Sequence, residues 1–218
     1  MRLIQFINET PESDDVFKID NAIKEQLGKR SDIQLDVGKR TVLATGARII
    51  PGHNKADMYI VNSKGQPTAF ISLKHGSGPI SIHQWGGISF PPMRDNPNVI
   101  KFAKRVRQLF PDGFPVGKGV GRRINDDLLK NQTVFGKDFG GAPGINNVDL
   151  VLQGFTKLQQ IGNKFTLVGE FLWPNGDTPT GPHEPVLMAR WSGDRSNFGI
   201  KNARFSLYSA GGRAWQPI

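Results

Sequence analysis

Two short β-type runs do most to restrict the folds open to this chain. Residues 58–61 (Met58-Tyr59-Ile60-Val61) and 68–73 (Thr68-Ala69-Phe70-Ile71-Ser72-Leu73) are rich in β-branched and aromatic side chains, and Asn62-Ser63-Lys64-Gly65-Gln66-Pro67 separates them. The Asn and Gly of that connection supply the backbone freedom a reversal needs, so the runs are predicted to pair as a hairpin. Lys55-Ala56-Asp57 enters the first strand, Lys74-His75-Gly76 leaves the second, and Gly76-Ser77-Gly78-Pro79 ends it. Pairing brings the start of one strand beside the end of the other, which puts Asp57 and Lys74 side by side at one end of a sheet.

The remaining pattern surrounds this hairpin with mixed elements. A short amphipathic helix is expected over residues 20–27, entered from Phe17, with Phe17, Ala22, Ile23 and Leu27 inward and Gly28 as its stop. Residues 41–44 and 47–50, divided by Gly46 and ended by Pro51-Gly52, read as strand material, and residues 80–85 as a short helical segment closed by Gly86-Gly87. The clearest helix runs from an Asn96 cap and Pro97 to Phe110, with Pro111 ending it and Val99, Phe102, Ala103, Val106, Leu109 and Phe110 on one face. Residues 114–144 are Gly-rich and irregular apart from a helix expected over 125–130. Strands then follow at residues 148–152, 165–172, 185–191 and 205–209. The predicted class is α/β, a mixed-sheet core with flanking helices over residues 1–112, a Gly-rich basic linker or loop over 113–145, and a β-rich C-terminal region over 146–218.

Charge points to a polyanionic partner. The net charge is +9 with a pI near 9.9, and the excess is uneven. Lys101, Lys104, Arg105, Arg107, Lys118, Arg122 and Arg123 face the single acid Asp112 within residues 101–123. Arg190, Arg195, Lys201, Arg204 and Arg213 form a second basic cluster offset by Asp194 alone. Solvated faces of a basic protein are the plain alternative, and DNA is the partner favoured. With no cysteine, disulfide frameworks and thiolate metal sites are excluded. The first seven residues lack the apolar run of a signal peptide, and no segment approaches the ~20 apolar residues of a membrane span, so a cytoplasmic or particle-borne protein is expected.

The hairpin end suits phosphodiester hydrolysis. Water is a weak nucleophile and the leaving oxygen carries charge, so a divalent metal commonly assists both. Magnesium takes hard oxygen ligands, and one or two carboxylates with substrate phosphate and waters suffice. In that chemistry Asp57 would hold metal, and Lys74 would orient the water or stabilise phosphoryl charge.

Asp57 followed by Ser72-Leu73-Lys74 at the close of the next strand resembles the PD-(D/E)xK nuclease superfamily. The wider string, Lys55-Ala56-Asp57, Ile71-Ser72-Leu73-Lys74-His75-Gly76 and Ser81-Ile82-His83-Gln84, resembles uncharacterised phage-type members. The resemblance spans residues 41–87 and implies a restriction-endonuclease-like core, a phage-type DNA endonuclease or exonuclease that hydrolyses phosphodiester bonds with Mg2+ or Mn2+. Its implied catalytic set is Asp57, Lys74, Glu25 and Gln84, and its implied metal set is Asp57, Gln84, Glu25 and Leu73. A homodimer and phage-particle components are the further partners it suggests. Two departures stand out: Ala56 precedes Asp57 where proline is common, and Ser72 occupies the position of an acid. A hydroxyl is a poor replacement for a carboxylate, so the missing acid is sought at Gln84 after the second strand or at Glu25 in the first helix. A catalytically silent DNA-binding or virion protein with the same fold is the alternative function, and an ordinary hairpin with a surface salt bridge is the alternative reading of Asp57 and Lys74.

Other motifs carry less. His75 and His83 lie near Lys74 but their spacing is not that of a zinc site, and Trp85 suits a core position. Residues 113–119 lack the spacing and the hydroxyl residue of a phosphate loop, and residues 117–123 read instead as a flexible basic loop. No serine sits in a Gly-x-Ser-x-Gly elbow, and His183-Glu184 has no further ligand at metal spacing. Residues 190–201 interleave basic and aromatic side chains between two strands, a pattern that suits nucleic-acid positioning or a hairpin with long polar tips.

Overall fold

The computed structural model describes residues 11–82, 84–88 and 91–218; the expectations for the first seven residues and for His83 lie outside them. In chain order the elements are α1 (Pro11–Leu27), β1 (Ile33–Val37), β2 (Arg40–Ala44), β3 (Gly46–Ile49), β4 (Met58–Val61), β5 (Pro67–Lys74), α2 (Gly78–Ser81), β6 (Gly86–Gly87) and α3 (Pro91–Arg94). They continue with α4 (Pro97–Leu109), β7 (Gly119–Arg122), α5 (Asp127–Phe135), β8 (Leu150–Ile161), β9 (Lys164–Pro174), β10 (Pro185–Asn197), β11 (Ile200–Ser209) and β12 (Gln216–Pro217). The architecture is mixed α/β: two mixed sheets, a few flanking helices and a β-rich C-terminal part.

Two compact units form, each from separated stretches of chain: Met1–Gly76 with Gly140–Asn175, and Ser77–Phe139 with Gly176–Ile218. This differs from three consecutive segments, because the C-terminal strands divide between two sheets. The first unit holds a seven-stranded sheet of order β2-β1-β9-β8-β5-β4-β3. β4 and β5 form the expected antiparallel hairpin, and β8 adds to β5 in parallel, Ser72 opposite Val151 and Lys74 opposite Gln153.

α1 is longer than its sequence pattern suggested, and its buried face differs. Val16, Ile19 and Ile23 enter the core, whereas Phe17 is 46% exposed. A helix that already runs from Pro11 turns the 16-19-23 stripe inward and leaves Phe17 beside it. Asp20 lies on the same buried side, where its Oδ1 accepts the Ala47 N–H at 2.8 Å. Gly46 permits that approach, since a Cβ there would lie 2.5 Å from the Asp20 oxygen. The strand β1 was not anticipated, although Ile33, Leu35 and Val37 alternate inward with the period of a half-buried strand.

The second unit holds a five-stranded sheet of order β12-β7-β10-β11-β6. The helix after Asn96 forms as expected: Asn96 Oδ1 accepts the Asn98 N–H at 2.9 Å, and Val99, Phe102, Ala103 and Val106 are buried. Phe102 meets Phe205 of β11 edge-on at 5.7 Å, so α4 packs on the sheet face that carries Phe205. Leu109, expected inward, is 39% exposed because it sits in the last turn beyond that contact.

The expected linker is instead part of this core. β7 is an interior strand, and α5 buries Leu129, Val134 and Phe135. A Cβ on Gly121 would lie 2.8 Å from Trp215 and 3.0 Å from the Met188 side chain. Gly119 and Gly121 serve close packing within β7, whereas Gly117, at φ +72° with nothing against it, lies in the turn before the strand, so residues 119–122 are a packed strand and not the flexible basic loop expected over 117–123. The segment over residues 80–85 is likewise only a single turn, α2, and Gly86-Gly87 pairs with β11 as β6.

Asp126 joins α4 to α5. Its carboxylate accepts from Asn96 Nδ2 at 2.8 Å, Asn98 Nδ2 at 3.0 Å and the Leu129 N–H at 2.9 Å. Burial works to raise its pKa, but these hydrogen bonds together with Lys130 hold it below the usual carboxylate value. A depressed native pKa stabilises above the unfolded value of about 4 and that contribution is lost as pH falls. Thermal melting from neutral to acid pH should therefore show a loss in the wild type that is smaller in Asp126→Asn; equal pH slopes would refute it.

Candidate functional site

The hairpin brings Asp57 and Lys74 to one hydroxyl. Asp57 immediately precedes β4, and its N–H donates to the Ile71 carbonyl at 3.0 Å, which sets it opposite Ser72. Ser72 Oγ donates to Asp57 Oδ2 at 3.0 Å and accepts from Lys74 Nζ at 3.1 Å. The Leu73 N–H adds a short bond of 2.6 Å to the same Asp57 oxygen. Oδ1 of Asp57 accepts no hydrogen bond from the described residues. Ser72 is fully buried, while Asp57 and Lys74 are half-buried, so a rigid hydroxyl holds two accessible charged ends.

Alternation along β5 separates this cluster from α1. Ala69, Ile71 and Leu73 face the core with Ile19 and Ile23 of α1, so Ser72 and Lys74 point to the opposite face. Glu25 is consequently not brought to Asp57. It is exposed on α1 and lines a groove with Lys18, Asn21 and residues 155–158 of β8. The α1 acid nearest the end of β5 is Asp15, whose Oδ2 lies 3.2 Å from His75 Nδ1. Ten residues separate Asp15 from Glu25, about 15 Å along a helix. Gln84 belongs to the second unit, and its carboxamide oxygen accepts from Ser206 Oγ at 3.3 Å. Leu73 has a buried apolar side chain, so only its main-chain carbonyl has metal-ligating chemistry.

Lys55 is a functional candidate that sequence reasoning left without a role. Its N–H and that of Ala56 both donate to the Ile145 carbonyl, at 3.1 and 2.9 Å, which fixes the approach to Asp57. Burial pushes the Lys55 ammonium well below the usual lysine range; the charge of Lys74 acts the same way and Asp57 opposes both. The charges of Lys74 and Asp57 thus both reach the Lys55 amine. Position 55 stands two residues before Asp57 in sequence, but nothing in the linear pattern distinguishes it from a solvated lysine.

Among the described residues there is no group of three or more His, Asp or Glu side chains that could hold a metal. Asp57 supplies one carboxylate with the Ser72 hydroxyl beside it, which meets the minimum for a hexacoordinate Mg2+ or Mn2+ completed by substrate oxygens and water.

The basic residues fall into distinct settings. Lys101, Lys104 and Arg105 of α4 line a groove of about 300 Å³ with Arg122 of β7, Gln108 and Ile218, and no acid. Arg107 donates to the Phe198 carbonyl. Arg123 is engaged by Glu184, which also holds Lys130 at 2.9 Å. Lys118 is exposed before β7, and Arg195 and Lys201 are exposed on the β10–β11 hairpin. Among the described residues no helix is long and apolar enough to cross a membrane.

No family model matches the sequence. No solved structure matches it either. The chain is similar to the type II restriction enzyme CviJI of Paramecium bursaria Chlorella virus IL3A, 32% identical over 173 residues that cover 71% of this chain and 47% of the relative. It thus spans about half the length of the curated relative it matches, and that relative is a restriction enzyme.

Proposed function

We propose that this chain hydrolyses phosphodiester bonds in DNA as a divalent-metal-dependent endonuclease, with Asp57, Ser72 and Lys74 as its central group and Lys55 beside them. The observation that carries this reading is the single Ser72 hydroxyl bonded to both the Asp57 carboxylate and the Lys74 ammonium. The similarity to a restriction enzyme supports the same chemistry.

Asp57, with the Leu73 carbonyl, would hold Mg2+ or Mn2+, which supplies an activated water and charge stabilisation at the leaving oxygen. Lys74 orients the attacking water or neutralises phosphoryl oxygens, and Lys55, whose burial disfavours its charged form, adds an amine close enough to feel the charges of Asp57 and Lys74. Ser72 fixes both ends at neutral charge where an acid would add another negative one. Metal binding then rests on one carboxylate and needs substrate oxygens to complete it.

A catalytically silent DNA-binding protein is the second reading, favoured by the absence, among the described residues, of a group of three or more His, Asp or Glu side chains that could hold a metal. Incubating plasmid and linear DNA with Mg2+ or Mn2+ separates the two. Cleavage by the wild type that is lost in Lys74→Ala supports the nuclease; binding without cleavage under every metal condition supports the silent protein.

DNA contact through the α4 groove makes a separate prediction. Affinity should fall steeply with salt, and replacing Lys101 or Lys104 by Ala should each reduce the slope of log K against log salt by about 0.9, the value per phosphate contact. A flat salt response would remove this interface.

A further inference from the structure

Among the described residues, Arg190 ends in positive charge and aromatic surface with no acid paired to it. It lies on β10, opposite Gly119 of β7 on one side and Arg204 of β11 on the other. Its stem crosses the open position at Gly119: a Cβ there would lie 3.8 Å from Cγ and Nε of Arg190 and 3.2 Å from the Ala214 carbonyl. The guanidinium carbon sits 5.5 Å from the centre of the Tyr208 ring. Arg213, adjacent to Ala214, is near enough for its charge to act on Arg190. Nη1 of Arg190 is enclosed, and no described residue accepts its hydrogen bond.

Leaving an enclosed guanidinium N–H without an acceptor is costly, and setting arginines opposite each other on neighbouring strands adds repulsion. No ion pair joins Arg190 or Arg204 to an acid among the described residues. An oxyanion relieves both penalties, and the planar guanidinium fork matches phosphate geometry.

We infer that Arg190 and Arg213, flanked by Arg204, form a phosphate-binding site. The ligand chemistry is a phosphate oxyanion, supplied by a DNA backbone or by free phosphate. The site is distinct from the α4 groove. Val186 and Met188 cluster with Tyr208 and Trp215, and alternation puts Arg190 and Arg204 on that face, whereas Phe205 faces α4. DNA reaching this site would touch the sheet face away from α4, which a single groove would not require.

The experiment uses the full chain with Asp57→Asn, so that bound DNA is not cut, and compares it with the same chain carrying Arg213→Ala or Arg190→Lys. Arg213 is exposed, so its truncation spares the core, and Arg190→Lys keeps charge but removes the fork. Inorganic phosphate should raise the melting temperature above that in chloride of equal ionic strength, and both substitutions should shrink that rise. If DNA supplies the phosphate, Arg213→Ala should also lower the salt slope of DNA binding by about 0.9. A phosphate response with an unchanged slope assigns the site to free phosphate. The reverse, a lowered slope without a phosphate response, assigns it to the DNA backbone. No change in either measurement overturns the site. Cleavage by chains with Asp57 intact tests the nuclease reading separately, since the phosphate site stands or falls without catalysis.

Discussion

Asp57→Asn and Lys74→Ala are each expected to reduce DNA cleavage by about a thousandfold or more while the chain stays folded. Both side chains are half-buried at strand ends, and the strand pairing around them is made by main-chain groups and by Ile71 and Leu73. Asparagine keeps the shape of Asp57 and an oxygen for the Leu73 N–H, but it removes the carboxylate that Ser72 bonds. Alanine at position 74 removes the ammonium that Ser72 holds. Ser72→Ala leaves both charges and deletes only their shared anchor, so a smaller loss of about tenfold is expected, as for a misplaced catalytic group. Single-turnover cleavage of plasmid, with melting curves for each variant, checks all three. Variants that cut at the wild-type rate would eliminate the site.

The largest expected effect on stability is at Asp149. This buried carboxylate accepts the Phe70 N–H at 2.8 Å and pairs with Arg40 Nε at 2.7 Å, joining the entry to β8, the middle of β5 and the β1–β2 hairpin. The turn comes so close that a Cβ on Gly38 would lie 2.6 Å from the Asp149 carbonyl oxygen. Asp149→Ala strands the Phe70 N–H and the arginine; because Arg40 is partly solvated, a cost of about 3 kcal/mol is expected, the low end for a broken buried pair. At this size that corresponds to a fall of about 6–12 °C in melting temperature. Asp149→Asn keeps an acceptor for Phe70 and should lose less.

The sign of the pH effect at Asp149 is opposite to that at Asp126. Burial raises its pKa, outweighing the Phe70 hydrogen bond and the Arg40 charge. The native state therefore holds this proton more tightly than the unfolded chain. Stability from this group is full below about pH 4 and declines as pH rises through the raised native value. Asp149→Asn should lack that decline, and a wild type and variant with parallel pH profiles would refute it.

Local chemistry was legible wherever neighbours in sequence are neighbours in space. The β4–β5 hairpin follows from apolar runs around an Asn/Gly turn, and α4 from its Asn96 cap, Pro97 and apolar stripe. The juxtaposition of Asp57 with Lys74 follows from the hairpin. Phe17 lies outside the buried stripe that its sequence pattern suggests, because the helix starts at Pro11 without a strong apolar signal and a few residues of helix length rotate the buried face.

What the sequence by itself determined is thus the hairpin, the charged pair at its end, the capped basic helix and the positive balance. The tertiary structure alone decided the rest. The pairing of β5 with β8 links Phe70 to Asp149, 79 residues away, and no short-range pattern encodes such a partner. That pairing carries β8 and β9 into the first sheet. The packing of α1 against Ile71 and Leu73 turns Ser72 and Lys74 to the other face and separates them from Glu25. Burial of Lys55 and the enclosure of Arg190 also arise only on folding, because desolvation depends on what covers a charge, and a linear chain covers nothing.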